Sequence, residues 1–145
     1  MNIEKFKKQI NIITSSKYHD GNFGHIVNIN LISEFFSENK ELADYIHFLE
    51  KFGAGELDAS FCLDEEPVIW SEIFPKERSH LEGLYIFASD LSEYSFAFDS
   101  KNNYKVMEIA ADGELSESNL GDFKEFINKQ LDDLVEIVQW RDDNL

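Results

Sequence analysis

Apolar residues change their spacing several times along this chain, and each change marks an element. Ile3, Phe6, Ile10 and Ile13 recur at helical spacing with Lys5, Lys7, Lys8 and Gln9 between them, which predicts a short amphipathic helix over 3–13. Turn formers crowd the next stretch (His19-Asp20-Gly21-Asn22-Phe23-Gly24-His25), so 14–26 reads as a loop. A second short helix is expected over Asn30–Ser37, with Leu31, Ile32 and Phe35 inward. Leu42, Tyr45, Ile46, Leu49 and Phe52 then form one apolar helical stripe. Gly53 follows at once, where a left-handed C-cap residue belongs.

After Gly53 the period shortens to two. Leu57, Ala59, Phe61 and Leu63 alternate with Asp58, Ser60, Cys62 and Asp64, the pattern of a half-buried strand. Residues 64–82 read as an acidic loop carrying Glu65, Glu66, Trp70 and Glu72. Three strands are expected next: Leu84–Ser89; Tyr94–Asp99, with Phe96 and Phe98 on one face; and Tyr104–Ala110, with Val106 and Met107. Ser100-Lys101-Asn102-Asn103 suits a hairpin connection, because Asn tolerates the left-handed turn conformation. Asn119 is the expected N-cap of a long closing helix, with Phe123, Phe126, Ile127, Leu131, Leu134, Val135 and Val138 at helical spacing up to Trp140. The expectation is one α+β domain over 1–145: an antiparallel β-sheet meander with helices packed on it and a long C-terminal helix.

Composition sharpens this outline. The chain has 145 residues, 43% of them hydrophobic, with 13 Phe, 5 Tyr and 2 Trp. That is core material for a folded domain and too aromatic for disorder. Against 13 Lys and Arg stand 29 Asp and Glu, for a net charge of −16. A surface this negative repels phosphates and anionic lipid, so neither nucleic acid nor membrane is expected as a partner. The acid is also unevenly placed: residues 1–50 are nearly balanced, whereas 51–100 carry 3 basic groups against 11 acidic and 101–145 carry 5 against 11. Any partner chosen by charge is basic. Asp132, Asp133, Glu136, Asp142 and Asp143 also put negative charge at a helix C-terminus, where the dipole disfavours it.

Candidate chemistry is thin. Cys62 is the single cysteine and reads as a small hydrophobe in a strand. His19, His25, His47 and His80 match no zinc spacing, so no metal or cofactor is expected. Gly53-Ala54-Gly55 runs from helix into strand, the reverse of a phosphate-binding loop. No Gly-x-Ser-x-Gly elbow occurs, and adjacent carboxylates such as Glu65 and Glu66 arise readily in so acidic a chain. An enzyme is not expected, with a small carboxylate-dependent hydrolase kept as an alternative. The N-terminus lacks a signal-peptide pattern and no apolar run reaches the length of a membrane span, so a cytoplasmic protein is expected.

Several segments resemble a known family. Phe48-Leu49-Glu50-Lys51-Phe52-Gly53-Ala54-Gly55-Glu56-Leu57 resembles the helix-to-strand junction of the SUKH superfamily, the fold of the Smi/Knr cell-wall regulators. Leu84–Asp90, Tyr94–Asp99 and Val106–Glu108 resemble its central strands, and Asn119–Ile127 resembles its closing helix. The similarity covers roughly 28–135; the family's usual Leu-Pro ahead of the Tyr-containing helix is here Glu41-Leu42-Ala43-Asp44-Tyr45. The resemblance implies a binding module. Bacterial members are largely immunity proteins that neutralise a cognate polymorphic toxin, often a nuclease, and eukaryotic members are regulatory scaffolds. On that implication the expected partner is a basic toxin domain, and the chain itself is expected to be a monomer or weak homodimer. The expected contact residues are Asp64, Glu65, Glu66, Trp70, Glu72, Asp90, Glu93 and Tyr94, with Trp70 and Tyr94 as aromatic anchors; a tryptophan in this acidic loop has the alternative role of covering the core edge.

Overall fold

The computed structural model describes residues 1–30, 32 and 39–145. Helix α1 (Ile3–Thr14) starts at Asn2, whose side chain accepts the Lys5 N–H at 3.0 Å, and buries Phe6, Gln9 and Ile13. Of the helix expected over Asn30–Ser37, Asn30 and Ile32 are helical and Ile32 is buried; Leu31 and Phe35 lie outside the described residues. Helix α2 (Ala43–Phe52) buries Tyr45, Phe48 and Leu49 and ends as expected at Gly53, whose N–H reaches the Leu49 carbonyl.

Six strands follow one another in space as in sequence: β1 (Phe23–His25), β2 (Ala54–Asp58), β3 (Phe61–Ile69), β4 (Leu84–Ser89), β5 (Tyr94–Asp99) and β6 (Lys105–Ala110). All pair antiparallel, and helix α3 (Phe123–Asn144) closes the chain. The architecture is the α+β meander that the alternating periods predict.

Four local expectations are corrected. Phe23–His25, expected in a loop, pairs with β2 at the sheet edge; three residues are too few to display a period. The alternation over 57–63 is a hairpin rather than one strand. It turns at Ala59-Ser60, where Asp58 accepts both the Ser60 N–H (3.0 Å) and its hydroxyl (2.6 Å). The loop expected from 64 begins only after Ile69, since β3 runs through the acidic stretch. The N-cap of α3 is Asp122, which takes the Glu125 N–H at 2.8 Å, whereas Asn119 holds the preceding turn through the Gly121 N–H.

Both faces of the sheet are covered. On one side α1, α2 and α3 pack over Leu57, Phe61, Leu63, Phe87, Phe96, Phe98 and Val106. Tyr45 sits among Phe87, Phe98 and Phe123 at ring-centroid distances of 4.9–5.7 Å, and Phe87 stacks on Phe98 at 4.0 Å. Edge-to-face aromatic pairs of this kind add about 0.5–1.5 kcal/mol each beyond their area. A register shift in β4 between Ile86 and Ala88 lets both Phe87 and Ala88 join this core.

The far face carries a second, smaller core of Leu84, Ile86, Ala97 and Ile109, covered by Trp70, Phe74 and Leu81 from one connection and Leu115 from another. His80 joins the two coverings, with its Nε2 2.7 Å from the Gly113 carbonyl.

The outer edge of β6 is occupied as well. Segment 114–121 exchanges backbone hydrogen bonds with it: Ala110 N–H to Glu114, Ser116 N–H to Glu108, Leu120 N–H to Val106 and Val106 N–H to Gly121. Those groups are therefore not available to pair with another chain.

Candidate functional site

The structure separates the expected contact residues into two groups and removes one. Leu63 pairs with Ala88 and Val68 with Ile86, so β3 holds three more residues than β4 over the same span. Asp64, Glu65, Glu66 and Pro67 form this wide bulge, a place where a proline without an N–H costs no ladder bond. Glu65 and Glu66 are exposed, and Glu65 lies 3.5 Å from His25 Nδ1. Asp64 is half-buried, and burial pushes its carboxyl up to about 6. The Tyr45 hydroxyl is fully buried and has no hydrogen-bond partner among the described residues; burial foremost, then the charges of Asp64 and Glu66, raise its pKa.

The second group is the β4–β5 turn. Asp90 Oδ1 accepts the N–H groups of Ser92, Glu93 and Tyr94 at 2.9–3.0 Å. Partial burial works against the Asp90 charge, but these donors outweigh it and hold the carboxyl below the usual carboxylate range. Asp90 is therefore a structural clamp rather than a free contact. The turn it fixes places Leu91 at φ +67°, a left-handed conformation that costs a leucine on the order of 1 kcal/mol. Leu91 is nevertheless 47% exposed, and Tyr94 38%.

Tyr94 and Glu93 line a cleft of about 340 Å³ whose other wall is Ile73, Phe74 and Pro75. Ile73 is 52% exposed, and Glu72 before it is exposed too. This cleft combines apolar surface with the Glu93 carboxylate, and Glu72 lies next to Ile73 in the chain.

Trp70 is the residue to withdraw. It is only 9% exposed and belongs to the far-face core with Leu81, Leu84 and Ile86, so it cannot serve as a free anchor. The alternation of strands β4–β6 leaves an apolar far face that needs a cover, and Trp70 is that cover.

Ile73 and Leu91 were missed by sequence reasoning. Their signal was the presence of large apolar residues inside Pro-, Ser- and acid-rich turns, where nothing local requires them.

Two further side chains define the chemistry available. Burial, together with Asp64 and Glu56, pushes the Cys62 thiol up to about 11, the opposite of an activated thiolate. His47 is exposed. Among the described residues no group of three or more His, Cys, Asp or Glu side chains is placed to hold a metal ion, and no helix is long and apolar enough to cross a membrane.

No protein-family model matches the chain, and no curated protein matches it.

The surface must therefore be read from its own geometry. The β2–β3 and β4–β5 turns emerge at the same end of the sheet, since Cys62 at the start of β3 pairs with Ser89 at the end of β4. That end carries the rigid Leu91–Tyr94 turn, with its cleft on the far side of the sheet.

Proposed function

We propose that this chain is a SUKH-like protein-binding module of the immunity type, which neutralises a cognate basic toxin by stoichiometric blockade. The observation that carries the reading is the β4–β5 turn. A strained, exposed Leu91 is held rigid by Asp90 beside Tyr94, Glu93 and the Ile73 cleft. A preorganised apolar tip loses little entropy on binding, and flanking carboxylates favour a partner bearing Lys and Arg. A specific protein contact typically buries ~1,600 Å² in total, with a few central side chains supplying most of the affinity. Tyr94, Leu91 and Ile73 fit that central role. Glu72 and Glu93 fit the rim, with Glu65 and Glu66 as further acidic contacts. A basic nuclease groove is the fitting target.

The test is co-expression with the C-terminal domain of a toxin encoded beside this gene. Rescue of growth and co-purification are the expected results, with binding that weakens steeply as salt rises. Charge reversal of Glu72 and Glu93 should reduce rescue while leaving the unfolding midpoint in place. Failure both to rescue and to co-purify would sink the immunity reading. Binding that is insensitive to salt would favour the regulatory scaffold of the same fold.

One observation speaks for the hydrolase alternative. Asp64, with its carboxyl pushed up to about 6, has the kind of environment that general acids use. That reading requires turnover, lost on Asp64→Asn; inhibition that titrates at one equivalent contradicts it.

A further inference from the structure

The exposed tryptophan of the chain is on the side of the sheet opposite the Tyr94 cleft. Trp140, in the last turns of α3, is 60% exposed, far more than a tryptophan needs to be on a well-packed helix. With Ile137, Arg141 and Leu145 it lines an apolar cleft of about 430 Å³. Among the described residues none outside α3 and its C-cap Leu145 lines this cleft, yet the helix that presents it is fastened on both flanks. Arg141 Nη1 donates to the buried Asp58 at 2.8 Å, tying α3 to the β2–β3 turn. On the opposite flank Ser16 donates to Asp142 at 2.7 Å, and Gln9 and Lys5 both reach Asp132. The platform is rigid where its surface is apolar.

Charge decides the occupant. Trp140 and Ile137 share a helical stripe with Asp133, Glu136 and Asp143. Asp133 has a weak, exposed pairing with Lys129 at 3.2 Å, and the positive charge of Arg141 is spent on Asp58. Among the described residues Glu136 and Asp143 pair with no cation. A second copy of this chain would set those carboxylates against their own equivalents, on molecules each carrying −16. A partner with Lys or Arg beside an apolar side chain relieves the same charges and fills the cleft.

We propose that the Ile137–Trp140 face of α3 is a docking surface for a basic segment of another protein that inserts an apolar side chain beside Trp140. This goes beyond the immunity reading and does not depend on it, because the surface lies across the sheet from the Tyr94 cleft.

The test uses the intact chain and synthetic peptides. One is an amphipathic Lys/Leu peptide, one a Lys/Ser peptide of equal length and charge, and one a Glu/Leu peptide. Calorimetric titration should show the Lys/Leu peptide binding at one equivalent, with the Trp140 emission shifting to the blue and becoming shielded from acrylamide. Trp70 is already buried and contributes no such change. The Ile137→Ser and Trp140→Ser variants keep the charge and should lose at least about tenfold in affinity with an unchanged unfolding midpoint. Equal affinity for the Lys/Ser peptide would overturn the proposal in favour of non-specific charge attraction. Equal affinity of the two variants would overturn it too. So would concentration-dependent dimerisation abolished by Trp140→Ser, since the face would then belong to a second copy.

Discussion

Replacing Asp64 by Asn should stabilise this protein at neutral pH and leave it unchanged in acid. The carboxyl sits half-buried in the β3 bulge, and burial is the cause that lifts it from 3.8 to about 6. A raised acid is one whose charged form the fold tolerates poorly. Below about pH 4 Asp64 is neutral in both folded and unfolded chains and costs nothing. Between about pH 4 and 6 the unfolded chain releases its proton first, so stability falls as pH rises, and above about 6 the whole penalty is present. At about 1.4 kcal/mol per pH unit the difference amounts to about 3 kcal/mol, and partial exposure of the side chain lowers it to about 1–2 kcal/mol. Asn keeps the shape and removes the charge. Urea unfolding of both proteins from about pH 3 to about pH 8 should give equal stabilities at the acid end and an advantage for Asp64→Asn that widens between about pH 4 and 6 and levels off above. A variant that is less stable than the parent at neutral pH, or equally displaced at every pH, would refute the burial argument.

Three other substitutions probe different parts of the structure. Arg141→Met leaves the buried Asp58 carboxylate without its cation and should cost about 3–5 kcal/mol in urea unfolding. Asp58 has the opposite sign to Asp64. Burial opposes its charge, but the Arg141 and Ser60 hydrogen bonds hold it below the usual range, so its stabilisation is present at neutral pH and is lost as pH falls through the carboxylate range; Arg141→Met should flatten that acid limb. Gly55→Ala puts a methyl group into the Asn22 carbonyl at φ +123°, so a loss of more than about 2 kcal/mol is expected, and a change within about 0.5 kcal/mol would contradict the close approach of β1. Tyr45→Phe removes a buried hydroxyl that has no partner among the described residues and should stabilise by about 1 kcal/mol; clear destabilisation would mean that the hydroxyl is satisfied in solution.

What the sequence made legible follows from how each residue's role is encoded. Periodicity is a property of faces, so Phe96, Phe98, Phe123 and Phe126 announced their burial, and Gly53 announced the end of α2. Periodicity does not mark reversals, which is why the β2–β3 hairpin looked like one strand. Leu57 and Phe61 are both inward on either reading, and only the Asp58–Ser60 turn distinguishes them. Trp70 was ambiguous for a related reason. Its neighbours Ile69 and Ser71 have no period, and the far-face core it completes comes from β4, β5 and β6, remote in sequence.

At the candidate site, Glu93 and Tyr94 were legible from an acidic turn carrying an aromatic. Ile73 and Leu91 were not: an apolar residue in a polar turn is a visible signal, but only the fold decides whether it is buried, as Trp70 is, or exposed, as these two are. The charge imbalance after residue 50 was visible throughout. Its pairing was hidden, and the Arg141–Asp58 contact shows that part of the acid serves the fold itself.

The central claim is that the Leu91–Tyr94 turn and the Ile73 cleft bind a basic protein. The most direct measurement is calorimetric titration of a purified basic nuclease-toxin domain into the parent chain and into a Leu91→Glu, Tyr94→Ala variant of unchanged unfolding midpoint. The account predicts one-to-one binding by the parent, weakened by rising salt, and a loss of about 100-fold or more in the variant. Equal binding by the two proteins, or no binding by the parent, would contradict it.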